Sequence, residues 1–304
     1  MMELPVPPEA TGERLDAFLA VPLGSRARAQ RLIDEGRVTV DGATRPKRHL
    51  VRAGAVVVVD EPPERRLPAT DPQAPFAVAW EDEHLLVVDK PAGVVVHPAR
   101  GNRTGTLSQA LSAAGAGAAG GEDATRAGLV HRLDRETSGL LLVARTEEAH
   151  RVLKAQLSER GIERRYVALV DGRPPARSGT IDAPIGRDRR VRTRISTDSD
   201  APREARTHFT VERELSAATL LAVTLETGRT HQIRVHLEAI GHPVCGDPEY
   251  GRPGAFGLTR QFLHAAALAF THPATGAQVR VESPLPDDLA AALERAEGEP
   301  DHRS

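Results

Sequence analysis

The sequence predicts an α+β protein: a mixed, largely antiparallel sheet with a small helix-and-strand module in front of it. Three observations carry this. Strand-like runs outnumber helical ones and often follow one another directly, which favours antiparallel neighbours over βαβ crossovers. The 304 residues exceed one ordinary domain, so a large and a small unit are expected. The stretch EPPERRLPATDPQAP, residues 61–75, holds five prolines and has no apolar period, so it reads as a linker.

Element by element, ERLDAFLA (13–20) has helical apolar spacing, and SRARAQRLIDEG (25–36) runs from a Ser25 N-cap to a stop at Gly36. Val38 and Val40 alternate with polar residues before the turn dipeptide Asp41-Gly42, and AVVVVD (55–60) supplies another strand. Beyond the linker, strands are expected at FAVAW, LLVVD and GLLLVART, followed by a helix across EEAHRVLKAQLSER. Further strands are expected at RRYVALVDG, ARTHFTVEREL, TLLAVTLE, LHAAALAFTH and AQVRVES. Two stretches read as mobile loops, the Gly/Ala-rich SAAGAGAAGGEDA and the arginine-dense GRDRRVRTRISTDSDAPREAR. The domain boundaries that follow are 11–61 for the small module, 62–75 for the linker, 76–290 for the main domain and 291–304 for an acidic, flexible tail.

A single cysteine, Cys245, excludes a disulfide framework, and the N-terminus has no basic segment followed by an apolar one. No apolar run approaches the ~18 residues needed to cross a bilayer. A cytoplasmic protein without a membrane partner is therefore expected. The net charge of −2 conceals a strong asymmetry. Between Arg26 and Arg52, eight basic residues face three acidic ones, a local excess of +5, while acidic residues crowd the stretch after Asp287. Phosphate backbones respond to patches rather than to totals.

In HRLDRETSGLLLVART, Asp134 lies between Arg132 and Arg135, ahead of a small-residue turn and an apolar strand. Alone, such an aspartate reads as a surface residue in a charged turn. Its company changes the reading: VVDKPAGVVVHP upstream, RRYVALV downstream, then ETGRTHQIRVHLEAIGHPVCGDPEYG and LHAAALAFTHP. These five segments, in this order, resemble the RluA family of pseudouridine synthases across residues 76–285. SRARAQRLIDEGRVTVDG resembles the αL RNA-binding domain that many members carry at this position.

The resemblance implies an isomerase acting on uridines in structured RNA. Large-subunit ribosomal RNA is the expected target and transfer RNA the alternative. The reaction breaks the N1–C1′ glycosidic bond, turns the uracil and rejoins it through C5; it is redox-neutral and needs neither cofactor nor metal. The matching positions assign the catalytic carboxylate to Asp134, its cationic partner to Arg234 and a stacking or proton-relaying aromatic to Tyr166. Arg132 matches the residue that enters the helix as the uridine leaves. Further RNA contacts are expected from Arg26, Arg28, Arg31, Arg37, Lys47 and Arg48 in the small module, and from Arg189, Arg190 and Arg192 in the arginine-dense loop, whose range 187–206 holds seven arginines. Arg229 is the weaker alternative to Arg234, and Lys90 is expected to shape the pocket floor.

Two rival classes remain. A metal-dependent hydrolase would draw on His231, His236, His242 and Cys245, whose spacing fits no familiar ligand set. A non-catalytic RNA-binding protein would be expected to have lost Asp134, Tyr166 or Arg234, and all three are present. The chain is expected to act as a monomer.

Overall fold

A four-stranded antiparallel sheet organises the first of two units, Met1–Arg66, in a computed structural model that describes residues 2–24, 26–60, 70–99, 101–116 and 127–298. In chain order the unit holds β1 (Met2–Pro5), α1 (Leu15–Phe18), α2 (Arg26–Asp34), β2 (Val38–Val40), β3 (Ala43–Thr44) and β4 (Val56–Val59), with sheet order β1-β4-β2-β3. Val38 and Val40 on β2 and Val57 and Val59 on β4 alternate inward, and α2 adds Ala29, Leu32 and Ile33 at helical spacing. Each fully buried Leu, Ile or Val contributes about 1.5–3 kcal/mol. Asp41 and Gly42 turn the β2–β3 hairpin with positive φ values of 51° and 78°, as an Asp-Gly pair does readily. The first helix is shorter than its apolar spacing implies, because Arg14 is still extended. The Ser25 cap lies outside the described residues.

One polar group is built into this unit's core. Asp16 is fully enclosed, and its carboxylate accepts from Arg14 Nε at 2.9 Å and Nη2 at 3.1 Å, from Arg26 Nε at 3.2 Å and from Gln30 Nε2 at 2.6 Å. α1, α2 and the residue before α1 are thus tied to one anion.

The second unit, Leu67–Ser304, is built on a nine-stranded mixed sheet. Its elements are β5 (Ala77–Glu81), β6 (Leu85–Lys90), α3 (Leu107–Ala113), β7 (Ser138–Ala144), α4 (Glu147–Ser158), β8 (Glu163–Asp171), β9 (Ser178–Asp182), β10 (Gly186–Arg187), β11 (Ile195–Ser196), β12 (Arg206–Glu214), β13 (Ala218–Leu225), α5 (Gln232–Ala239), β14 (Leu263–Thr271), β15 (Gln278–Glu282) and α6 (Asp287–Gly298). The order is β5-β6-β7-β14-β8-β13-β12-β9, with β15 also on β14, and every pair is antiparallel except β14 with β7. On β6, Leu85 and Val87 pack with Ala149 and Leu153 of α4, while Leu86 and Val88 join the larger core on the other face. Burial on both faces explains why β6 and β7 read as nearly continuous apolar runs.

β14 meets β7 at a very close approach. A Cβ on Gly139, whose φ is +109°, would lie 2.3 Å from the Ala265 carbonyl oxygen and 2.7 Å from its nitrogen. Only glycine fits there. The contact sits five residues after Asp134 and sets where the Asp134 loop enters the sheet.

Two expectations are corrected. Residues 291–298 are not tail: they complete α6, whose Leu289, Ala292, Leu293 and Ala296 are buried at helical spacing beneath an acidic outer face. The arginine-dense stretch is folded into the hairpin β10–β11, because Arg189 pairs with Asp198 at 3.1 Å and Asp200 at 3.0 Å, with further bridges Ile185–Arg203 and Asp188–Ser199. In the Gly/Ala-rich stretch, residues 112–113 end α3 and 117–124 lie outside the described residues, as do residues 61–69 of the linker and 299–304. Among the described residues no helix is long and apolar enough to cross a membrane.

The Asp16 cradle makes a stability prediction. Asp16's carboxyl is held well below the usual carboxylate range, chiefly by Arg14 against the opposing effect of burial, with Gln30 and Arg26 adding to it. A lowered folded pKa means that the contribution is complete above the unfolded value of ~3.9 and fades as pH falls below it. Asp16→Asn should cost the small unit roughly 1.5–3 kcal/mol near neutrality, the range for hydrogen bonds to a charged group. Denaturant titrations from pH 6 to 2 check this: wild type should lose the increment on acidification and the variant should not.

Candidate active site

The loop carrying Asp134 enters the sheet at β7, and its backbone is held from several sides. Val130 donates to the Leu142 carbonyl at 3.0 Å, and His131 Nε2 accepts from the Leu142 amide at 3.2 Å. From β6, the fully buried Lys90 ammonium donates to the carbonyls of Pro91 at 2.8 Å, Val94 at 3.0 Å and Arg135 at 2.9 Å, which uses all three of its protons. Burial pushes the Lys90 ammonium down to about 7, opposed by the charges of Glu136, Asp134 and Asp89. Arg135 Nε returns a bond to the Gly93 carbonyl at 3.1 Å. From the C-terminal side, buried Arg260 donates to the Glu136 carbonyl at 3.0 Å while gripping Asp288, at the start of α6, at 2.7 and 2.9 Å. Gln261 Nε2 reaches Thr137 Oγ1 at 3.2 Å.

Arg234 comes from α5, whose start is fixed by Gln232. That side chain accepts from Thr227 Oγ1 at 2.7 Å and the Arg229 amide at 3.0 Å, and donates to the Arg206 carbonyl and Thr207 Oγ1, both at 3.0 Å. The guanidinium lies 3.5 Å from Asp134 Oδ2, so the two residues paired on sequence grounds do meet. Its tighter partner is one that the sequence pattern does not assign. Asp247, fully buried, takes Arg234 Nε at 2.6 Å and Nη2 at 2.9 Å, and Glu249 adds a contact at 3.5 Å. Burial works against the guanidinium's charge, but Asp247, then Asp134 and Glu249, reverse this and hold its pKa above the ordinary value. Burial likewise opposes ionisation of Asp247, yet Arg234 and the amides of Glu249 and Tyr250 bring it below the usual range.

Tyr250 closes this cluster. Its ring has the guanidinium carbon of Arg194 at 4.8 Å and that of Arg234 at 4.9 Å from its centroid, and its hydroxyl donates to the Ile195 carbonyl at 3.0 Å. His231 Nδ1 lies 3.0 Å from the same hydroxyl. Tyr166, buried on β8 between Val223 of β13 and Ala265 of β14, is close enough for Asp134's charge to act on it. Burial raises its phenol above the ordinary value; Arg164 opposes this and Asp134 adds to it. Arg132 is exposed two residues before Asp134.

Other expected contacts are placed as follows. Arg229 donates to the Glu204 carbonyl at 3.1 Å and makes no ion pair with Asp134. Arg189 and Arg192 face Asp200, at 3.0 and 3.9 Å, and Arg190 is exposed. In the small unit, Arg26 joins Asp16, Arg37 pairs with Asp60 at 3.3 Å and Lys47 with Asp34 at 3.2 Å. Arg28 is half-buried, whereas Arg31 and Arg48 are exposed with no ion pair among the described residues. The histidines weighed as metal ligands are occupied separately: His236 by Thr207 at 2.8 Å and the Ala183 carbonyl at 2.9 Å, His242 by the Asp171 carbonyl at 2.9 Å. Among the described residues no three metal-ligating side chains converge.

Asp247 and Tyr250 lie in the quoted GDPEYG run, where no periodicity marks them. The available signal was the need of a buried Arg234 for a second, fully buried anion.

This arrangement offers one carboxylate, Asp134, whose side chain is 16% exposed, beside an arginine that is itself locked in place, with an aromatic ring nearby. The sequence pattern described as RNA pseudouridylate synthase matches residues 84–239, and that of the S4 domain matches residues 13–57. The chain is 45% identical to the ribosomal large subunit pseudouridine synthase D of Nitrosomonas europaea, over 96% of this chain and 87% of that one. It is 44% identical to the protein of the same name from Pseudomonas aeruginosa, over 93% and 92%. The solved structure of human RNA pseudouridylate synthase domain containing 1 is similar, with a TM-score of 0.56 and 27% identity, over 75% of this chain and 87% of that one.

Because Asp247 neutralises and orients Arg234 in a dry environment, Asp247→Asn should destabilise the second unit by about 3–5 kcal/mol, the range for breaking a buried pair. Guanidinium unfolding followed by tryptophan fluorescence from Trp80 measures this. The variant should also lose turnover under conditions where it remains folded.

Proposed function

The chain belongs to the RNA pseudouridylate synthase family, and from that premise we propose that it isomerises uridines of large-subunit ribosomal RNA using Asp134 as the catalytic carboxylate. The observation that carries the assignment is the pairing of Asp134 with Arg234, itself gripped by buried Asp247. The target follows the names of the two relatives, both of which specify the ribosomal large subunit. The enzyme is read as a monomer acting in the cytoplasm.

In the proposed reaction the target uridine leaves its stack and its ribose is presented to Asp134, with Arg132 filling the vacated space. Asp134 acts as nucleophile at C1′, forming an ester that C5 later displaces, or as base at C2′, taking a proton that it later returns. The N1–C1′ bond breaks, the uracil turns, the C5–C1′ bond forms, and a proton leaves C5 as one is gained at N1. Electrons balance within the substrate. Arg234 fixes the carboxylate's position and offsets its charge as it approaches the RNA. Tyr166 offers a ring against which the detached uracil stacks, and a phenol which, kept protonated by burial, can relay the C5 proton by passing its own proton on as it accepts that one. The small unit supplies phosphate contacts.

Asp134→Asn keeps the shape of the side chain and removes the reactive carboxylate. It should abolish pseudouridine formation on unmodified large-subunit RNA while leaving RNA affinity within a few-fold, measured by single-turnover assay and filter binding. Retained turnover would remove Asp134 from the chemistry. The clamp role of the small unit is read from salt dependence. Replacing Arg31 and Arg48 together by alanine should lower the log-log slope of affinity against salt by about 0.7–0.9 for each phosphate that is no longer neutralised.

A further inference from the structure

Between β9 and β12 the folded arginine-dense segment borders a half-open cavity of about 410 Å³. Ile185 and Ile195 form part of its wall, and Arg187, Arg192, Arg203 and Arg229 line it. The charges here are unequally satisfied. Asp198 and Asp200 are both engaged by Arg189, Asp200 also lies 3.9 Å from Arg192, and Asp188 is turned to the amides of Arg190 and Val191. Arg187 gives one N–H to the Arg192 carbonyl at 3.1 Å, and Arg229 gives one to the Glu204 carbonyl at 3.1 Å. Among the described residues neither of these, nor Arg203, has a carboxylate within 4.0 Å. Three guanidinium groups without counter-charges thus surround one concave space. A bound anion would offset their like charges, and their forked donors match phosphate oxygens.

The cavity is next to the candidate catalytic cluster. Thr230 in its wall precedes His231, and Ile195 is bonded through both its amide and its carbonyl to the Tyr250 hydroxyl, at 3.2 and 3.0 Å. Tyr250 is the residue whose ring lies against Arg234. Whatever enters the cavity therefore sits one aromatic residue away from the Asp134–Arg234 pair.

We propose that this cavity is a subsite for a nucleotide phosphate of the substrate RNA strand, that of a nucleotide flanking the target uridine. The inference rests on the assignment of RNA isomerisation to Asp134. The volume is at the lower end of the range for ligand sites, large enough for one nucleotide, and the isoleucines face the sugar or base while the arginines hold the phosphate. Occupancy fixes the strand on one side of the uridine as the base turns, and Tyr250, bonded to Ile195 of the wall, couples that grip to Arg234. A free mononucleotide offers the same chemistry, so the test separates the two.

The test uses the full-length protein, unmodified large-subunit RNA made by transcription, and two variants at exposed positions. Arg187→Ala with Arg203→Ala removes charge, and Ala201→Trp fills the cavity while leaving every charge in place. The double variant should weaken RNA binding at least tenfold and lower the salt slope by about 0.7, the increment for one phosphate of a single strand. Ala201→Trp should weaken binding similarly with a smaller change in slope. Melting temperatures equal to wild type show that the fold is intact. Wild-type affinity in both variants would overturn the subsite. So would calorimetric binding of uridine monophosphate that the double variant loses while its RNA affinity stays unchanged, which would assign the cavity to a free nucleotide. Failure of the wild type to form pseudouridine on this RNA would instead count against the functional assignment, and the binding measurements would still decide on the cavity.

Discussion

Of the three anions around Arg234, Asp247 and Asp134 play different parts, and the rest of the site is arranged around that asymmetry. Asp247 is fully buried and bidentate, at 2.6 and 2.9 Å, whereas Asp134 is partly open and 3.5 Å away. Removing a guanidinium from water is costly, and only close, hydrogen-bonded partners offset it. Asp247 supplies that offset and is itself held by the amides of Glu249 and Tyr250. Arg234 can then face Asp134 with its position already determined. With Asp247 as the arginine's main structural partner, Asp134 is left free for the reaction proposed for it.

The opposite half of the site is fixed by backbone contacts. Lys90 and Arg260, both buried cations, donate to consecutive carbonyls, those of Arg135 and Glu136, immediately after Asp134. One is rooted in β6 and the other, through Asp288, in the start of α6. The Gly139–Ala265 approach sets the depth at which the loop leaves the sheet. A loop between two such anchors retains little freedom to move Asp134, which is the preorganisation that positioning catalysis requires.

Much of this was legible in the sequence and some was not. The strands of the central sheet carry uninterrupted apolar runs or clean alternation, so β6, β7, β8, β13 and β14 stood out. β9, with sequence SGTID at the sheet edge, buries little and gave no such signal. α6 was obscured by its acidic outer face, although Leu289, Ala292, Leu293 and Ala296 carry a helical period. Counting the arginines between 187 and 206 gave a misleading picture of the loop, because the pairing of Arg189 with Asp198 and Asp200 depends on a hairpin that local composition does not reveal. Asp134 and Arg234 were found through the segments around them. Asp247 was missed because its role exists only once α5 brings Arg234 to it.

The central claim is that Asp134, placed by Arg234, acts on the ribose of an extruded uridine. A crystal structure of the Asp134→Asn variant bound to its RNA tests this most directly. The account predicts a uridine out of its stack, its C1′ or C2′ within about 3.5 Å of the residue 134 side chain, the separation expected for reacting groups, with the uracil against Tyr166 and Arg234 still gripped by Asp247. A uridine left stacked in its helix, or one seated with its ribose away from residue 134, would contradict it.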